Sequence, residues 1–249
     1  MKLLVDFGNT RLKWATQDRT GALQPGGALA HAGEAPGAPL EHAWRALQGI
    51  DGVRVASVVA PAQEQALADF VQARFGCALQ FVRSPAQALG IRNAYAEPAR
   101  LGIDRFLALA ALHAAAPCAR VLVSVGTALT ADALGADGVH HGGIIVAAPA
   151  LMRTALLQAT ARVGVADGTW QALPRSTADG VHAGALYAAA GAVDRFRAAA
   201  ADTLGEMPRL DLTGGGSGEL APLLPDARRH DDLVLAGLAL WSDADGVPR

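Results

Sequence analysis

The chain has 249 residues, room for one large domain or two small ones at roughly 150 residues each. Apolar residues make up 51% and charged residues 18%, which supplies a core and excludes a disordered chain. Lys and Arg number 21 against 23 Asp and Glu, a formal net charge of −2, and that balance argues against a dedicated nucleic-acid binder, which carries a basic excess or stripe.

Lys2 to Phe7 is an apolar run ending in a turn, Phe7-Gly8-Asn9-Thr10, and Leu12 to Ala15 follows at once, which predicts an N-terminal β-hairpin. Residues 21–39, rich in Gly, Pro and Ala, read as loop or weak edge strand. Glu41 to Gln48 has helical spacing, Val53 to Val59 is a buried strand, and Pro61 starts a helix through about Phe75, since proline suits a first helical turn. Leu79 to Val82 is a strand, and Ser84-Pro85 opens a loop holding Asn93, Tyr95 and Pro98. Leu101 to Ala116 is helical and mostly apolar. Strands follow at Val121 to Val125, Leu129 to Leu134 and Gly143 to Val146, with Asp137-Gly138 and His140-His141 read as solvated turn. Pro149 to Val163 is a helix, Gly164 to Arg175 a loop, and Ser176 or Thr177 caps a helix running to about Leu204. Arg209 to Leu212 is a strand before a glycine turn at Gly214 to Gly218, and Leu233 to Trp241 is a last helix.

Residues 121–146 thus repeat the pattern of residues 2–15: a strand, a glycine turn, a paired strand. The repeat predicts a duplicated α/β architecture, with halves at residues 1–117 and 118–249. Cys77 and Cys118 lie far apart, form no zinc or disulfide pattern, and read as buried small apolar residues. Lys2 is followed by only three apolar residues before Asp6, too few for a secretory core, and the run Phe106 to Pro117 falls short of the roughly 20 residues of a membrane span. A soluble, cytoplasmic protein is expected.

Four stretches carry chemistry. In Asp6-Phe7-Gly8-Asn9-Thr10-Arg11-Leu12-Lys13 a strand brings a carboxylate to the rim of a sheet. Gly8 permits close approach of a phosphate, Asn9 and Thr10 offer donors, Asp6 suits Mg²⁺, and Lys13 adds a point charge. The same residues also suit an ordinary hairpin with an Asx-type turn. Ser124-Val125-Gly126-Thr127-Ala128 repeats the theme, and together the two loops read as a clamp on one polyphosphate. Gly102-Ile103-Asp104-Arg105 opens an apolar helix, where the dipole favours the Asp104 carboxylate and Arg105 offers a planar fork; a first-turn acid with a surface arginine is the plainer alternative. Gly216-Ser217-Gly218 matches part of a dinucleotide fingerprint, but too little chain follows for a Rossmann unit, so a nucleoside-contacting turn or a plain turn is expected.

In order and spacing, these stretches resemble the type III pantothenate kinases of the acetate and sugar kinase/Hsp70/actin superfamily. The likeness is carried by DFGNTRLK at 6–13, Tyr95 ahead of GIDR at 102–105, GTALTAD at 126–132, GGIIVAAPALM at 142–152, ST at 176–177 and TGGG at 213–216. It implies two RNase H-like (actin-like ATPase) halves with mixed sheets flanked by helices and a cleft between them, in a homodimer. It also implies ATP-dependent phosphorylation of the 4′-hydroxyl of pantothenate, the first step towards coenzyme A. Residues 6–13 (Asp6, Phe7, Gly8, Asn9, Thr10, Arg11, Leu12, Lys13) and Thr127 would bind ATP with Mg²⁺. Tyr95, Gly102, Ile103, Asp104, Arg105 and Thr177 would bind pantothenate, with Asp104 as proton acceptor. At the position the family links to a monovalent cation, K⁺ or NH₄⁺, this chain has Ser124 instead of Asp; the missing charge implies a relaxed cation requirement. A non-catalytic accessory or regulatory protein, or another small-molecule kinase of the superfamily, are the alternatives. The first would be favoured by a broken catalytic set, whereas Asp6, Asn9, Lys13, Asp104, Arg105 and Thr127 are all present.

Overall fold

The N-terminal run forms strand β1 (Lys2–Phe7) and pairs antiparallel with β2 (Arg11–Gln17), as the apolar pattern and the glycine turn predict. The structure, a computed structural model, describes residues 1–31, 37–160 and 168–244. It divides into two units, one made of Met1–Ala116 with the segment from Leu233, the other of Pro117–Asp232.

In the first unit β3 (Leu23–Ala30) adds an edge strand to β2, α1 (Ala38–Trp44) follows, and β4 (Gly52–Ser57) pairs parallel with β1. Helix α2 (Pro61–Phe75) leads to β5 (Leu79–Val82), which completes the order β3-β2-β1-β4-β5. The Gly- and Pro-rich residues 23–30 therefore form a full edge strand; Pro25 is tolerated because an edge strand has one side without a ladder. Residues 32–36 of the predicted loop lie outside the described residues. A small hairpin, β6 (Gln87–Ala88) and β7 (Ile91–Arg92), precedes α3 (Ile103–Ala115).

Strand periodicity assigns the two faces of this sheet. Leu3, Val5 and Phe7 of β1 join Val53 and Val55 of β4 in a core closed by Leu40 and Trp44 of α1 and by Leu67 and Val71 of α2. The alternate residues Lys2, Leu4 and Asp6 face the opposite side, where α3 lies against β4.

The second unit repeats the plan. Strands β8 (Arg120–Val125), β9 (Ala128–Leu134) and β10 (His140–Ala147) form an antiparallel meander. Helix α4 (Pro149–Ala159) ends where Thr160 turns extended, so the predicted continuation towards Val163 falls outside the described residues, as does the first part of the predicted loop from Gly164. Helix α5 (Thr177–Leu204) carries the predicted cap: the Ser176 hydroxyl accepts from the Asp179 amide at 3.1 Å. Then come β11 (Arg209–Thr213), the short α6 (Ser217–Leu220) and β12 (Arg228–Arg229), giving the order β10-β9-β8-β11-β12. The two sheets share one topology, three antiparallel strands followed by two parallel ones, which is the predicted duplication in spatial form.

Three expectations need correction. The last helix, α7 (Leu233–Ala244), belongs to the first unit, so the second unit ends at Asp232 and not at residue 249. It packs on α3 and the sheet, and Lys2 Nζ donates to the Ser242 carbonyl at 2.9 Å. His140 is not in a solvated turn but buried in β10, with Nε2 2.9 Å from Asp132 Oδ1. Cys77 and Cys118 are half-buried, because both sit in connections leading into strands; desolvation and the Asp51 charge push the Cys77 thiol up, while Cys118 Sγ accepts from Arg120 at 3.1 Å.

The α3–α7 contact depends on Gly237, where an added Cβ would lie 2.1 Å from the Leu107 carbonyl oxygen. Gly237→Ala is expected to lower unfolding free energy by about 1–3 kcal/mol or more through overpacking. Gly191→Ala, on an open face of α5, is expected to raise it by about 0.5–1 kcal/mol through helix propensity. Urea melts of the two variants check the pair.

Candidate active site

Asp6 and Lys13 are direct cross-strand partners in the β1–β2 ladder, so their side chains share one face of the sheet. On that face α3 lies against β4, and α7 against β1 and β2. The parallel register Phe7↔Ser57 brings the end of β4 level with the end of β1. The loop after β4, Ser57 to Val59, lines a cavity of about 360 Å³ together with Gly102 and Ile103 at the start of α3. The Asp6–Lys13 pair and the first turn of α3 therefore lie on the same face and at the same end of the sheet. This is the carboxyl edge of the parallel strands β1 and β4, where open α/β sheets place their ligands.

Between β1 and β2 the turn is closed by the Gly8 amide donating to the Arg11 carbonyl at 3.0 Å. Phe7 and Leu12 are fully buried and anchor the turn, while Asn9, Thr10 and Arg11 are exposed at its tip. A rigid base and a polar tip suit an anion that approaches the backbone.

At the start of α3 the Asp104 carboxylate folds back and accepts from the Arg105 amide at 2.9 Å. It lies so close over Gly102 that an added Cβ there would be 2.5 Å from Asp104 Oδ1, which explains why this position has no side chain. Arg105 is not the surface residue of the plainer alternative: it is 6% exposed, Nη1 donates to the Tyr95 hydroxyl at 3.2 Å, and its guanidinium lies 5.9 Å from the Tyr95 ring centre. Tyr95 and Arg105, both expected to bind pantothenate, are thus in direct contact. Asn93 holds Tyr95 in place: its Nδ2 donates to the Pro85 and Pro98 carbonyls at 3.2 and 3.1 Å, and its Oδ1 accepts from the Tyr95 amide at 3.0 Å. Sequence reasoning placed Asn93 in the loop without a role.

The cavity wall holds a further group the sequence did not flag. Arg83 donates to both oxygens of Glu64, the first at 2.9 Å, and ties β5 to the first turn of α2. Burial works to raise the Glu64 carboxyl, but the Arg83 and Ser57 hydrogen bonds outweigh it and hold Glu64 below its ordinary value of 4.5.

In the second unit Gly126 and Thr127 are exposed at the β8–β9 turn. The Gly-rich segment after β11 packs against that turn: the Gly216 amide donates to the Val125 carbonyl at 3.0 Å, and an added Cβ at Gly214 would lie 2.4 Å from the same oxygen. Gly214 also has φ +93°, open to glycine and costly for other residues. Ser124 sits between Thr130 and Thr213 on neighbouring strands, a row of three hydroxyls without a carboxylate. Thr177 lies elsewhere in this unit, at the start of α5, where it lines an apolar groove of about 540 Å³ with Met152 and Leu156 of α4.

The sheet face that carries Ser124 also holds a buried polar network. Arg120 Nη1 donates to Asp211 Oδ2 at 2.9 Å, His230 Nε2 lies 2.7 Å from Asp211 Oδ1, and Asp132 meets His140. These buried pairs specify how the sheet is covered. Among the described residues no three His, Cys, Asp or Glu side chains come together as a metal site.

Residues 2–199 match the type III pantothenate kinase family profile. The chain belongs to the type III pantothenate kinase family. A type III pantothenate kinase from Xanthomonas oryzae is 42% identical over 247 residues, 98% of each chain. Among solved structures, a protein described as a Baf family transcriptional activator from Campylobacter jejuni aligns with TM-score 0.61 and 18% identity over 98% of this chain and 99% of its own. A protein named as a 2-dehydro-3-deoxygalactonokinase from Sinorhizobium meliloti aligns with TM-score 0.62 and 15% identity over the same shares. These identities speak to the fold alone: two mixed sheets flanked by helices. Type III pantothenate kinases are kinases, and so is this member.

A carboxyl held below its ordinary pKa adds stability above the unfolded-state value and loses it as pH falls through the folded one. The stability gap between wild type and Glu64→Gln is therefore expected to be full at pH 6–7 and to close as pH drops below about 4.5. Urea melts across that range check it; a gap that widens in acid excludes the Arg83 pairing as its source.

Proposed function

We propose that the chain transfers the γ-phosphoryl group of ATP to the 4′-hydroxyl of pantothenate, with Asp104 as proton acceptor. The observation that carries this reading is the placement of the Asp6–Lys13 pair and the first turn of α3 on one face and one edge of one sheet. A phosphate-binding turn and a half-buried carboxylate next to a cavity are the two parts that phosphoryl transfer to an alcohol requires.

The exposed turn at Asn9 and Thr10 binds phosphate through backbone and hydroxyl donors, and Lys13 offsets its charge; the Gly126-Thr127 turn of the second unit offers nucleotide phosphate donors of the same kind. Asp6 would hold a Mg²⁺ ion accompanying the nucleotide, which would supply positive charge to the phosphate oxygens. A single carboxylate, Asp6, fits an ion that keeps most of its ligands from water and phosphate. The Gly-rich turn at 213–216, packed on Val125, meets the nucleoside. Tyr95 and Arg105 bind the pantothenate carboxylate as a pair, and Gly102 leaves room for the Asp104 side chain. The attacking oxygen forms its bond to the γ-phosphorus as the bond to the β-phosphate oxygen breaks; ADP leaves with the electron pair, and the hydroxyl proton passes to Asp104.

Positioning and charge neutralisation dominate this chemistry, so the proton acceptor contributes about 10²–10⁴ in rate. Asp104→Asn is expected to keep its melting temperature and lose turnover by that factor in a coupled ADP-release assay run with pantothenate, simple sugars and acetate. Near-full kcat would remove Asp104 from the role, and turnover of a sugar or acetate in preference to pantothenate would replace the substrate.

Apolar side chains exposed along α4 and α5, Leu151, Leu156 and Tyr187, support a homodimer, and Leu156 also lines the groove that holds Thr177. The hydroxyl row at Ser124 supports a weak cation site. Turnover in K⁺-free, NH₄⁺-free buffer is expected within about twofold of that with K⁺, since no carboxylate anchors the ion. Restoration by K⁺ of an otherwise many-fold slower reaction would refute it.

A further inference from the structure

His31 is the first residue beyond β3. The β2–β3 register Arg11↔Ala30 carries it opposite Thr10, and its amide donates to the Thr10 carbonyl at 3.2 Å. The imidazole turns under the β1–β2 turn. It is 8% exposed, packs edge-on to Phe7 at 5.1 Å, and places Nε2 2.7 Å from the Gly8 carbonyl oxygen. A carbonyl oxygen only accepts, so Nε2 carries the proton in this contact.

The carbonyl of Gly8 and the amide N–H of Asn9 belong to one peptide unit, and in a trans peptide they point in opposite directions. Holding the carbonyl inward on His31 therefore turns the Asn9 N–H outward, to the side where Asn9 and Thr10 are exposed. Donation to the carbonyl also polarises the peptide and strengthens that N–H as a donor. We infer that His31 is a positioning residue for nucleotide phosphate: its Nε2–H fixes the Gly8–Asn9 peptide so that the Asn9 amide faces the anion. The inference rests on the reading of residues 6–13 as an ATP loop.

Three variants test it, with steady-state kinetics in both substrates, ATP binding by calorimetry and thermal melts. His31→Phe keeps a ring against Phe7 and removes the donor; the ATP KM is expected to rise about tenfold with the pantothenate KM unchanged, the loss of one hydrogen bond to a charged ligand's donor. His31→Gln carries an amide nitrogen at about the reach of Nε2 and is expected to restore the ATP KM to within about threefold, while His31→Asn, which reaches only as far as Nδ1, is not. A wild-type ATP KM in His31→Phe overturns the inference, as does an equal rise in both KM values. If His31→Phe does not fold, Gln and Asn decide: rescue by Gln alone supports the role, and equal behaviour overturns it. Failure of the underlying reading shows separately, as wild-type protein that neither binds ATP nor turns over with it.

Discussion

The register of one hairpin governs the candidate site. Six rungs run from Lys2↔Gln17 to Phe7↔Leu12, and they set Asp6 opposite Lys13 on the α3 face while Val5 and Phe7 point into the core on the other. A slip of one residue would drive Asp6 into that core and lift Phe7 out of it. The apolar residues that bury each face therefore also fix the polar pair at the rim, and the parallel strand β4 carries that alignment across to the cavity at Gly102.

The duplicated sheets show how one hairpin was put to two electrostatic uses. The penultimate residue of β1 is Asp6, flanked by Lys13 and Ala56; the penultimate residue of β8 is Ser124, flanked by Thr130 and Thr213. Backbone geometry repeats and charge does not. The first turn offers an acid and a base beside an open tip, and the second offers hydroxyls and a glycine-packed wall formed by Gly214 and Gly216. In both, the residues that would meet an anion are exposed only at the turn.

Much of this was legible in the chain. The hairpin, the helix at Pro61, the cap at Ser176 and the order of motifs follow from local rules: turn glycines, a proline at a first helical turn, a hydroxyl before an amphipathic run. What stayed hidden depends on contacts between distant residues. His140 reads as turn because Asp137-Gly138 precedes it, yet a bulge in β10 carries it back under the sheet to Asp132. Arg105 reads as a surface arginine until Tyr95, held by Asn93, folds over it. His31 has no local signature, because its role comes from the β2–β3 register alone. Nothing local in the chain pairs His140 with Asp132, or Arg120 and His230 with Asp211; the register of the second sheet does.

Helix α7 has a consequence for how the chain is made. Its ring at Trp241 stands edge-on to Phe106 at 6.5 Å, and Gln17 reaches Asp243 at 3.0 Å, so the first unit closes only with residues synthesised after the whole second unit. The second unit is a single uninterrupted stretch, Pro117 to Asp232. During translation it is complete while the earlier unit still shows the ribosome-side world a bare α3, rich in leucine. The first unit thus matures after the second, and the interval before its closure is when chaperones have a greasy surface to hold.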